Sequence, residues 1–417
     1  MSRIAIVGAG VAGLRAAERL RELGQDDEIV ILGSEDTMPY HRPALIKQFL
    51  VGEQSAAEVK LEVPADLDVT WRLSTPVSHL DAHHRVLHLP GGEELRYDGL
   101  IIATGVEARR LNGGQHGHPR VITVRTLADI VRLQRALAGN RYPVVILGNS
   151  LTGCEVASSL RAMAREVILV GRSTSLMARL LGRELGDELV NLHRQHTVDL
   201  QLGATIDDWS LRNRSVVVRL TNGEIIQAAA VVVAAGSVPG VSWLRGSGVP
   251  VDDGVVCDPT CHVVGYDDIV AAGDVALWPN LRFDNRARRV EHWTNAIEMG
   301  RAAAENLLRG RAAAEPFMPV PRFWSEQHGV RIHAAGMPVL GTKRMKLQAS
   351  STGGRSVTGY VRQGSLMGVV GFDSSAAVLA FHDELSRQKP FLQSAAEQSQ
   401  RPHRRLSFLD AARTTTR

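Results

Sequence analysis

The pattern of apolar and polar positions repeats one structural unit twice along the chain. In the first copy, an apolar run at residues 4–7 leads into the glycine pattern G-x-G-x-x-G at 8–13. Amphipathic spacing predicts a helix over 14–23, and a second apolar run predicts a strand over 29–32. A polar pair that includes a carboxylate follows this strand. Strand, glycine turn, helix, strand and acid, in this order, predict a βαβ unit that binds a dinucleotide.

The same order returns in the middle of the chain. An apolar run at 144–147 leads into a second motif, which begins at Gly148 and ends at Gly153. A helix is then predicted over 154–163, and another strand over 167–170. Ser150 stands at the middle glycine position, and because serine is small we expect weakened rather than abolished binding of a pyrophosphate. Two such units in one chain predict that the protein holds two nucleotides.

Each glycine of the first motif has a predicted role. Gly8 makes the turn, Gly10 leaves room for the phosphates, and Gly13 lets the helix pack closely on the strand. The N-terminus of the helix then presents backbone N–H groups to a pyrophosphate. Glu35, or Ser34 beside it, is placed to hydrogen-bond a ribose hydroxyl. The alternative, that the glycines only permit a tight turn, does not account for an acid at this distance.

The composition is that of a globular protein with several domains. At 417 residues the chain is too long for one hydrophobic core, and 44% hydrophobic with 22% charged residues excludes wholesale disorder. No apolar run approaches the roughly 20 residues of a membrane-spanning helix, and no signal peptide is recognised. Three cysteines cannot staple a chain this large, so we expect a cytoplasmic protein with no membrane partner. The net charge of +4 permits an acidic partner, while no lysine-rich run supports nucleic-acid binding.

Four further segments resemble signatures of the FAD-dependent ferredoxin reductases. They are Y-H-R-P-A-L-I-K at 40–47, G-D-V-A at 273–276, E-H-W-T-N-A at 291–296 and F-W-S-E-Q at 323–327, in the family's order. Members of this family pass electrons from NAD(P)H through FAD to two-iron ferredoxins that serve haem monooxygenases and ring dioxygenases. The similarity runs from residue 3 to about 335 and is weak beyond.

The resemblance implies a glutathione-reductase-like α/β flavoprotein. It has two Rossmann-like dinucleotide-binding domains and a small C-terminal α/β domain. The FAD-binding domain would combine 1–107 and 237–317, with the NAD(P)H-binding domain, 108–236, inserted between them. Residues 318–385 would form the C-terminal domain over the flavin. Residues 386–417 are polar and arginine-rich and are predicted to be a flexible tail.

The resemblance also implies roles for single residues around FAD. Ala12 would lie at the pyrophosphate turn, and Val77 would hold the adenine through its backbone. Arg125 would contact the cofactor unless it is a surface helix residue, and Asp274 would bind the ribityl chain unless it is an N-cap. Two tryptophans would sit against the flavin unless they are ordinary core residues, and other residues of the matched segments and of the strands that close each unit would complete the site. The two tryptophans are Trp293 and Trp324. The other residues are Arg42, Ala103, Thr104, Gly105, Gly236, Gly273, His292 and Thr294.

Lys47 and Glu155 match the two catalytic residues that the family implies. In the family, a lysine beside the isoalloxazine pairs with a glutamate near the point where the hydride is accepted. A cation there favours the reduced, anionic flavin, and the carboxylate keeps the buried lysine charged. The alternative is that Glu155 is an exposed helix residue. Ala44 and Ile46 replace the family's proline and serine nearby but remove no charged group.

The cysteines exclude the redox-active pair of related disulfide reductases. Such enzymes need a cysteine beside the flavin, and residues 40–47 contain none. The spacing of Cys257 and Cys261 is unlike that of a redox pair and predicts a structural role. The histidines between 79 and 88 fall in a predicted exposed hairpin, so no metal site is expected.

The second unit predicts NADPH, or the use of both coenzymes, over strict NADH. In NADH-preferring members an acid ends the second strand, binds the ribose hydroxyls and repels a 2′-phosphate. That position is Gly171 here, and Arg172 follows at once. Arg172 could bind the phosphate through a charge-assisted fork, with help from Arg179. The alternative is that Arg172 points to solvent and the site has lost discrimination.

The sequence therefore predicts an FAD-dependent NAD(P)H:ferredoxin oxidoreductase whose partner is an acidic two-iron ferredoxin that serves a downstream oxygenase. Four arginines form a basic segment that we expect to dock this partner: Arg282, Arg286, Arg288 and Arg289. Two alternatives stay open. One is a flavoenzyme of the same fold that reduces rubredoxin, a quinone or a small molecule. The other is a non-enzymatic flavoprotein sensor.

Overall fold

The computed structural model of the chain describes residues 2–111, 117–348 and 357–387. Eight helices lie in these stretches: α1 (Val11–Glu22), α2 (Arg42–Ala44), α3 (Leu127–Leu137), α4 (Leu151–Ala162), α5 (Ala178–Leu181), α6 (Arg183–Gln195), α7 (Trp293–Arg309) and α8 (Ser375–Arg387). A π-helical turn, Leu45–Phe49, continues α2. Single 3-10 turns complete the helical elements: Pro90–Gly92, Ser242–Leu244, Gly273–Val275, Arg311–Ala313 and Pro338–Leu340.

The first glycine motif belongs to a five-stranded parallel sheet. Its strands, in spatial order, are Ile269–Ala271, Gly99–Ile102, Arg3–Val7, Glu28–Leu32 and Thr70–Arg72. The inner strands are apolar on both faces and almost fully buried, as expected for a parallel sheet that helices cover on both sides. One edge strand comes from far along the chain, so two separate stretches of sequence build this sheet.

The second glycine motif belongs to another five-stranded parallel sheet. Its strands, in spatial order, are Asp199–Leu202, Val167–Gly171, Val144–Leu147, Ala230–Val233 and Val121–Thr123. This sheet is built from one continuous stretch of the chain. The predicted α/β fold with two Rossmann-like units is confirmed.

Both nucleotide helices begin earlier than the apolar pattern predicted. α1 starts at Val11 and α4 at Leu151, three residues ahead of the predicted starts. The last glycine of each motif therefore lies in the first helical turn. A Cβ on Gly13 would come within 2.1 Å of the Gly8 carbonyl oxygen, so only glycine permits this close approach of helix and strand.

Five further sheets are formed by the described residues. Four are antiparallel, and one is mixed because its strands Gly254–Val256 and Ala276–Pro279 pair in parallel. The C-terminal sheet has five strands, in the order Arg322–Gln327, Val330–Gly336, Ser365–Phe372, Val357–Arg362 and Lys343–Gln348. The histidine-containing segment forms three strands rather than a simple hairpin: His79–Asp81, Val86–His88 and Glu94–Arg96. Three sheets remain. One contains the strands Ile206–Arg212, Ser215–Leu220 and Ile225–Ala228, and a second contains Val251–Asp252, Gly254–Val256, Ala276–Pro279 and Ala287–Arg288. The third is the pair Val106–Ala108 and Ser237–Pro239.

The C-terminal sheet packs against the second nucleotide unit. Phe323 and Tyr360 share a buried cluster with Val156 and Leu160 of α4, and the Tyr360 hydroxyl donates to the Leu181 carbonyl. This contact brings the strand Arg322–Gln327 beside α4. Of the predicted tail, residues 386 and 387 end α8, and 388–417 lie outside the described residues.

Candidate functional site

A cavity of about 670 Å³ lies at the carboxyl end of the first parallel sheet, where ligands bind in folds of this kind. Its walls also come from α4, α7 and the C-terminal sheet. Most of the predicted cofactor-binding residues line it: Gly8, Gly10, Ala12, Ser34, Glu35, Arg42, Lys47, Val77, Ala103, Thr104, Gly105, Arg125, Glu155, Gly273, Asp274, His292, Trp293 and Trp324. One cavity therefore collects residues that are separated by more than 300 positions in the sequence.

Three of the residues that were predicted around FAD lie outside this cavity. Gly13 packs beneath the motif, as described above. Gly236, at the end of the second sheet, lies near the side chain of Arg109. The hydroxyl of Thr294 donates to the carbonyl of Arg322 at 3.0 Å, so it joins α7 to the C-terminal sheet rather than facing the cavity.

The glycine turn of the first unit fits a dinucleotide. Gly8 has a φ of 124°, and a Cβ there would lie 2.1 Å from the Ala103 carbonyl oxygen, so the turn requires glycine. At Gly10, which precedes α1, a Cβ would have no described atom within 4 Å, and this open space is where phosphates can approach the helix N-terminus. Two buried polar atoms of the cavity wall, Thr37 Oγ1 and His292 Nδ1, have no hydrogen-bond partner in the described structure. The residues present therefore fit FAD.

Glu35 lines the cavity but is not a free carboxylate. It accepts hydrogen bonds from the guanidinium of Arg42 and from the hydroxyl of Tyr40. The guanidinium of Arg42 also lies 4.8 Å from the Tyr40 ring centroid. Sequence reasoning treated Glu35 alone; the nearby Y-x-R spacing was the signal that it has partners.

Arg125 and Asp274 form an ion pair in the cavity wall. Arg125 Nη2 lies 3.1 Å from Asp274 Oδ2, and Arg125 Nε donates to the Val106 carbonyl. Burial raises the pKa of the Asp274 carboxyl, although the charge of Arg125 opposes this change. The pair therefore joins the second nucleotide unit, where Arg125 follows the edge strand Val121–Thr123, to the later stretch of chain in the first sheet, where Asp274 follows the strand Ile269–Ala271.

Lys47 and Glu155 meet at the boundary between the cavity and the second nucleotide unit. Lys47 Nζ lies 2.9 Å from Glu155 Oε1, and the two side chains are only 15% and 8% exposed. Lys47 lies in the π-helical turn, where its backbone leaves the helical region at φ −118° and ψ −105°. Such turns often occur at functional sites. Glu155 is buried in α4 and is not an exposed helix residue.

A chain of hydrogen bonds continues from Glu155 into the C-terminal sheet. The Ser325 hydroxyl donates to Glu155 Oε1 at 2.7 Å, and Gln327 Nε2 donates to Ser325 Oγ at 3.0 Å. Gln327 Oε1 lies 3.0 Å from His193 Nε2, and His193 Nδ1 lies 3.2 Å from His328 Nε2. Burial raises the pKa of Glu155, whereas Lys47 and Ser325 stabilise its charged form.

Sequence reasoning missed Ser325, Gln327 and the two histidines. Phe323, Ser325 and Gln327 are buried on one face of their strand, while Trp324 on the other face is 36% exposed. The available signal was spacing: successive side chains of a strand point to opposite faces, so Ser325 and Gln327 share the face of Phe323.

The two tryptophans line the cavity from different elements. Trp293 begins α7 and meets His41 edge-on, with 4.9 Å between the ring centroids. Trp324 combines partial exposure with a place in the cavity wall, which an ordinary core residue would not show.

The predicted coenzyme residues lie at the carboxyl end of the second sheet. Gly148, Ser150 and Gly153 form the turn into α4, and Ser150 is exposed, with no capping hydrogen bond from its side chain in the described structure. Arg172 and Arg179 are exposed, and neither pairs with another described residue. Both are therefore available to an anionic ligand, although their charge alone does not identify it.

Two of the four arginines in the basic segment form ion pairs within the protein. Arg288 pairs with Asp284, and Arg289 pairs with Asp253 and Glu291. Arg282 donates to backbone carbonyls, including that of Met318. Only the remaining member of the segment, Arg286, has an exposed side chain. Acidic partners therefore neutralise two of the four charges that were predicted to dock the ferredoxin.

The three cysteines, Cys154, Cys257 and Cys261, are free and buried, and burial raises the pKa of each thiol. Within the described ranges, no group of three His, Cys, Asp or Glu side chains is arranged to hold a metal ion. Across the same ranges, none of the helices combines the length and apolar character needed to span a bilayer.

The chain is similar to known proteins over most of its length. Residues 2–300 match the pyridine nucleotide-disulphide oxidoreductase family. The ferredoxin–NAD(+) reductase subunit of the benzene 1,2-dioxygenase system of Pseudomonas putida is 31% identical over 80% of each chain. A rubredoxin–NAD(+) reductase of P. putida is 31% identical over 80% of this chain and 86% of its own length. The crystal structure of the ferredoxin reductase for the CYP199A2 system of Rhodopseudomonas palustris is 26% identical, with a TM-score of 0.84, over 90% of this chain and 92% of that one.

Proposed function

Because the chain belongs to the pyridine nucleotide-disulphide oxidoreductase family and to its ferredoxin reductase branch, we propose that it passes electrons from NAD(P)H through FAD to a ferredoxin. The observation that carries this proposal is the buried Lys47–Glu155 pair. It lies between a cavity that fits FAD and the glycine turn of the second nucleotide unit, at the start of α4. No cysteine lies in that cavity wall to divert electrons to a disulfide.

Bound FAD would supply the chemistry, since it accepts a hydride and can release electrons one at a time. The protein would hold it through the first glycine motif, the Arg125–Asp274 pair and the two polar atoms that lack partners, on Thr37 and His292. Trp293 and Trp324 would limit access of water to the reacting face.

Lys47 would provide positive charge next to the site of reduction. Glu155 would fix the direction of the ammonium group, and the Ser325 hydroxyl would hold the carboxylate in place through the same Oε1 atom. Favouring the charged, reduced state in this way requires no rearrangement of the protein during the reaction.

The proposed acceptor is an acidic two-iron ferredoxin that serves a haem monooxygenase or a ring dioxygenase, and the proposed location is the cytoplasm. The dioxygenase-system relative supports this acceptor. The rubredoxin reductase relative favours a second candidate, in which rubredoxin takes the electrons instead. The exposed edge of Trp324 gives either protein a surface close to the cavity.

The test is reconstitution with defined acceptors. Purified protein should bind close to one FAD per chain without a covalent link, and NADH or NADPH should bleach the flavin under anaerobic conditions. Ferricyanide reduction would establish the enzyme, and turnover with purified two-iron ferredoxin and with rubredoxin would identify the acceptor. Protein that takes up no added FAD would refute the proposal, and bleaching without turnover on any acceptor would favour the sensor role.

A further inference from the structure

The two nucleotide units share one register, which makes their residues comparable position by position. The N–H of Gly8 donates to the carbonyl of Leu32, and the N–H of Gly148 donates in the same way to the carbonyl of Val170, both at 2.8 Å. Gly171, the residue after Val170, therefore corresponds to Gly33. By the same count, the residue after the first motif glycine is Ala9 in one unit and Asn149 in the other.

Asn149 occupies the space above Gly171. A Cβ built on Gly171 would lie 2.3 Å from Asn149 Cγ and 2.5 Å from Asn149 Cβ. The corresponding Cβ on Gly33 would meet a single methyl group of Ala9 at 2.7 Å and the Leu73 side chain at an ordinary contact distance of 3.5 Å. Gly171 does not have the left-handed backbone that would itself require glycine. The neighbouring asparagine, rather than the backbone, is what keeps a side chain out of position 171.

Asn149 also holds the turn that follows. Its Nδ2 donates to the carbonyls of Ser173 and Ser175, at 2.9 and 3.2 Å, and its own carbonyl accepts from the N–H of Met177 at 2.9 Å. Ser175 and Met177 are buried, whereas residues 172–174 are exposed. The turn is therefore fixed at its base and presents 172–174 outward.

We infer that Asn149 and Gly171 form a reciprocal pair in which Asn149 determines coenzyme specificity. An acid at the end of this strand would bind the ribose hydroxyls of NADH and repel the 2′-phosphate of NADPH. Asn149 fills the volume such an acid needs, brings no negative charge, and positions the turn that carries Arg172. No Asp or Glu occurs from 171 to 178, so the turn that follows the strand supplies no carboxylate in its place.

This inference rests on the proposed function. It predicts that a double substitution gives a result that Gly171→Glu alone does not give. In Gly171→Glu alone, the new side chain must displace Asn149 and break its two hydrogen bonds. Both coenzymes should then bind at least tenfold more weakly, and the protein should melt at a lower temperature. In the double variant Asn149→Gly/Gly171→Glu, the carboxylate has room. NAD⁺ affinity should recover, and the ratio of the Kd for NADP⁺ to that for NAD⁺ should rise at least tenfold over wild type.

In the experiment, oxidised holoprotein is titrated with NAD⁺ and with NADP⁺, and each Kd is measured by calorimetry. The melting temperature of each variant is measured as well. Ser150→Gly is the matched control: it changes the next residue of the same turn and should change both Kd values by the same factor. An equal Kd ratio in Gly171→Glu and in the double variant would overturn the role of Asn149. So would a double variant that keeps the wild-type ratio. If the wild-type holoprotein binds neither coenzyme, the proposed function itself fails, and this outcome differs from the other two.

Discussion

Replacing Glu155 with glutamine should slow reduction of bound flavin by NAD(P)H while FAD stays bound. Glutamine keeps the size of the side chain and can still accept the hydrogen bond from Ser325. The substitution removes only the negative charge opposite Lys47. FAD retention should change little because the proposed cofactor contacts lie mainly in the first unit.

The size of the effect follows from the geometry of the pair. Across 2.9 Å, at an effective dielectric constant of about 20, the attraction between the two charges is about 6 kcal/mol. The loss of hydration of both ions offsets most of it, and leaving one buried ion alone typically costs about 3–5 kcal/mol. Since Lys47 is 15% exposed, water relieves part of that cost, leaving about 2–3 kcal/mol. If the hydride step bears all of it, reduction slows roughly 30- to 150-fold.

The assay is anaerobic stopped-flow measurement of flavin absorbance, with FAD retention measured by ultrafiltration. Glu326→Gln is the control, because it makes the same chemical change on the exposed face of the neighbouring strand and should reduce at the wild-type rate. Lys47→Ala should act in the same direction as Glu155→Gln. Reduction of Glu155→Gln within twofold of wild type, or a loss of rate that matches a loss of FAD, would refute the reasoning.

Three further results are expected. Arg172→Ala should raise the KM for NADPH far more than the KM for NADH; a wild-type enzyme with strong NADH preference would contradict this. Rising ionic strength should lower ferredoxin-dependent turnover but leave ferricyanide reduction unchanged. Because the other arginines of the basic segment are engaged internally, Arg286→Ala should weaken this salt dependence only in part. Burial and two neighbouring histidines lower the pKa of His328 to about 3. The unfolded chain therefore binds a proton at this histidine at a higher pH than the folded chain does, and the free energy of unfolding should fall as the pH drops below about 6.5. Denaturant titration at pH 7 and pH 5 measures this fall, which should be shallower in His328→Gln.

Local patterns predicted the parts of the fold that local chemistry determines. The glycine turns and the buried strands around them depend on residues a few positions apart, so the sequence specifies them directly. The helix starts were wrong by three residues because the apolar periodicity begins only after the first turn, which α1 and α4 build from the motif itself.

Contacts between distant residues could not be predicted from the residues alone. Glu155 and Ser325 lie 170 positions apart, and no local pattern indicates that one hydroxyl meets that carboxylate. The same limit applies to the basic segment, because a run of arginines does not reveal which of them have acidic partners elsewhere in the chain. Asp253, which pairs with Arg289, precedes it by 36 residues.

The edge strand of the first sheet has a consequence for synthesis of the protein. Residues 269–271 pair with residues 100–102, so this sheet cannot be completed until the ribosome has added a further 167 residues or more. At about 5–20 residues per second this delay is roughly 10–30 s. The inserted unit, whose sheet spans only residues 121–233, can fold within that interval. The nascent chain would therefore acquire its coenzyme-binding unit first and its flavin last, and the unfinished first sheet would be the part in need of chaperones.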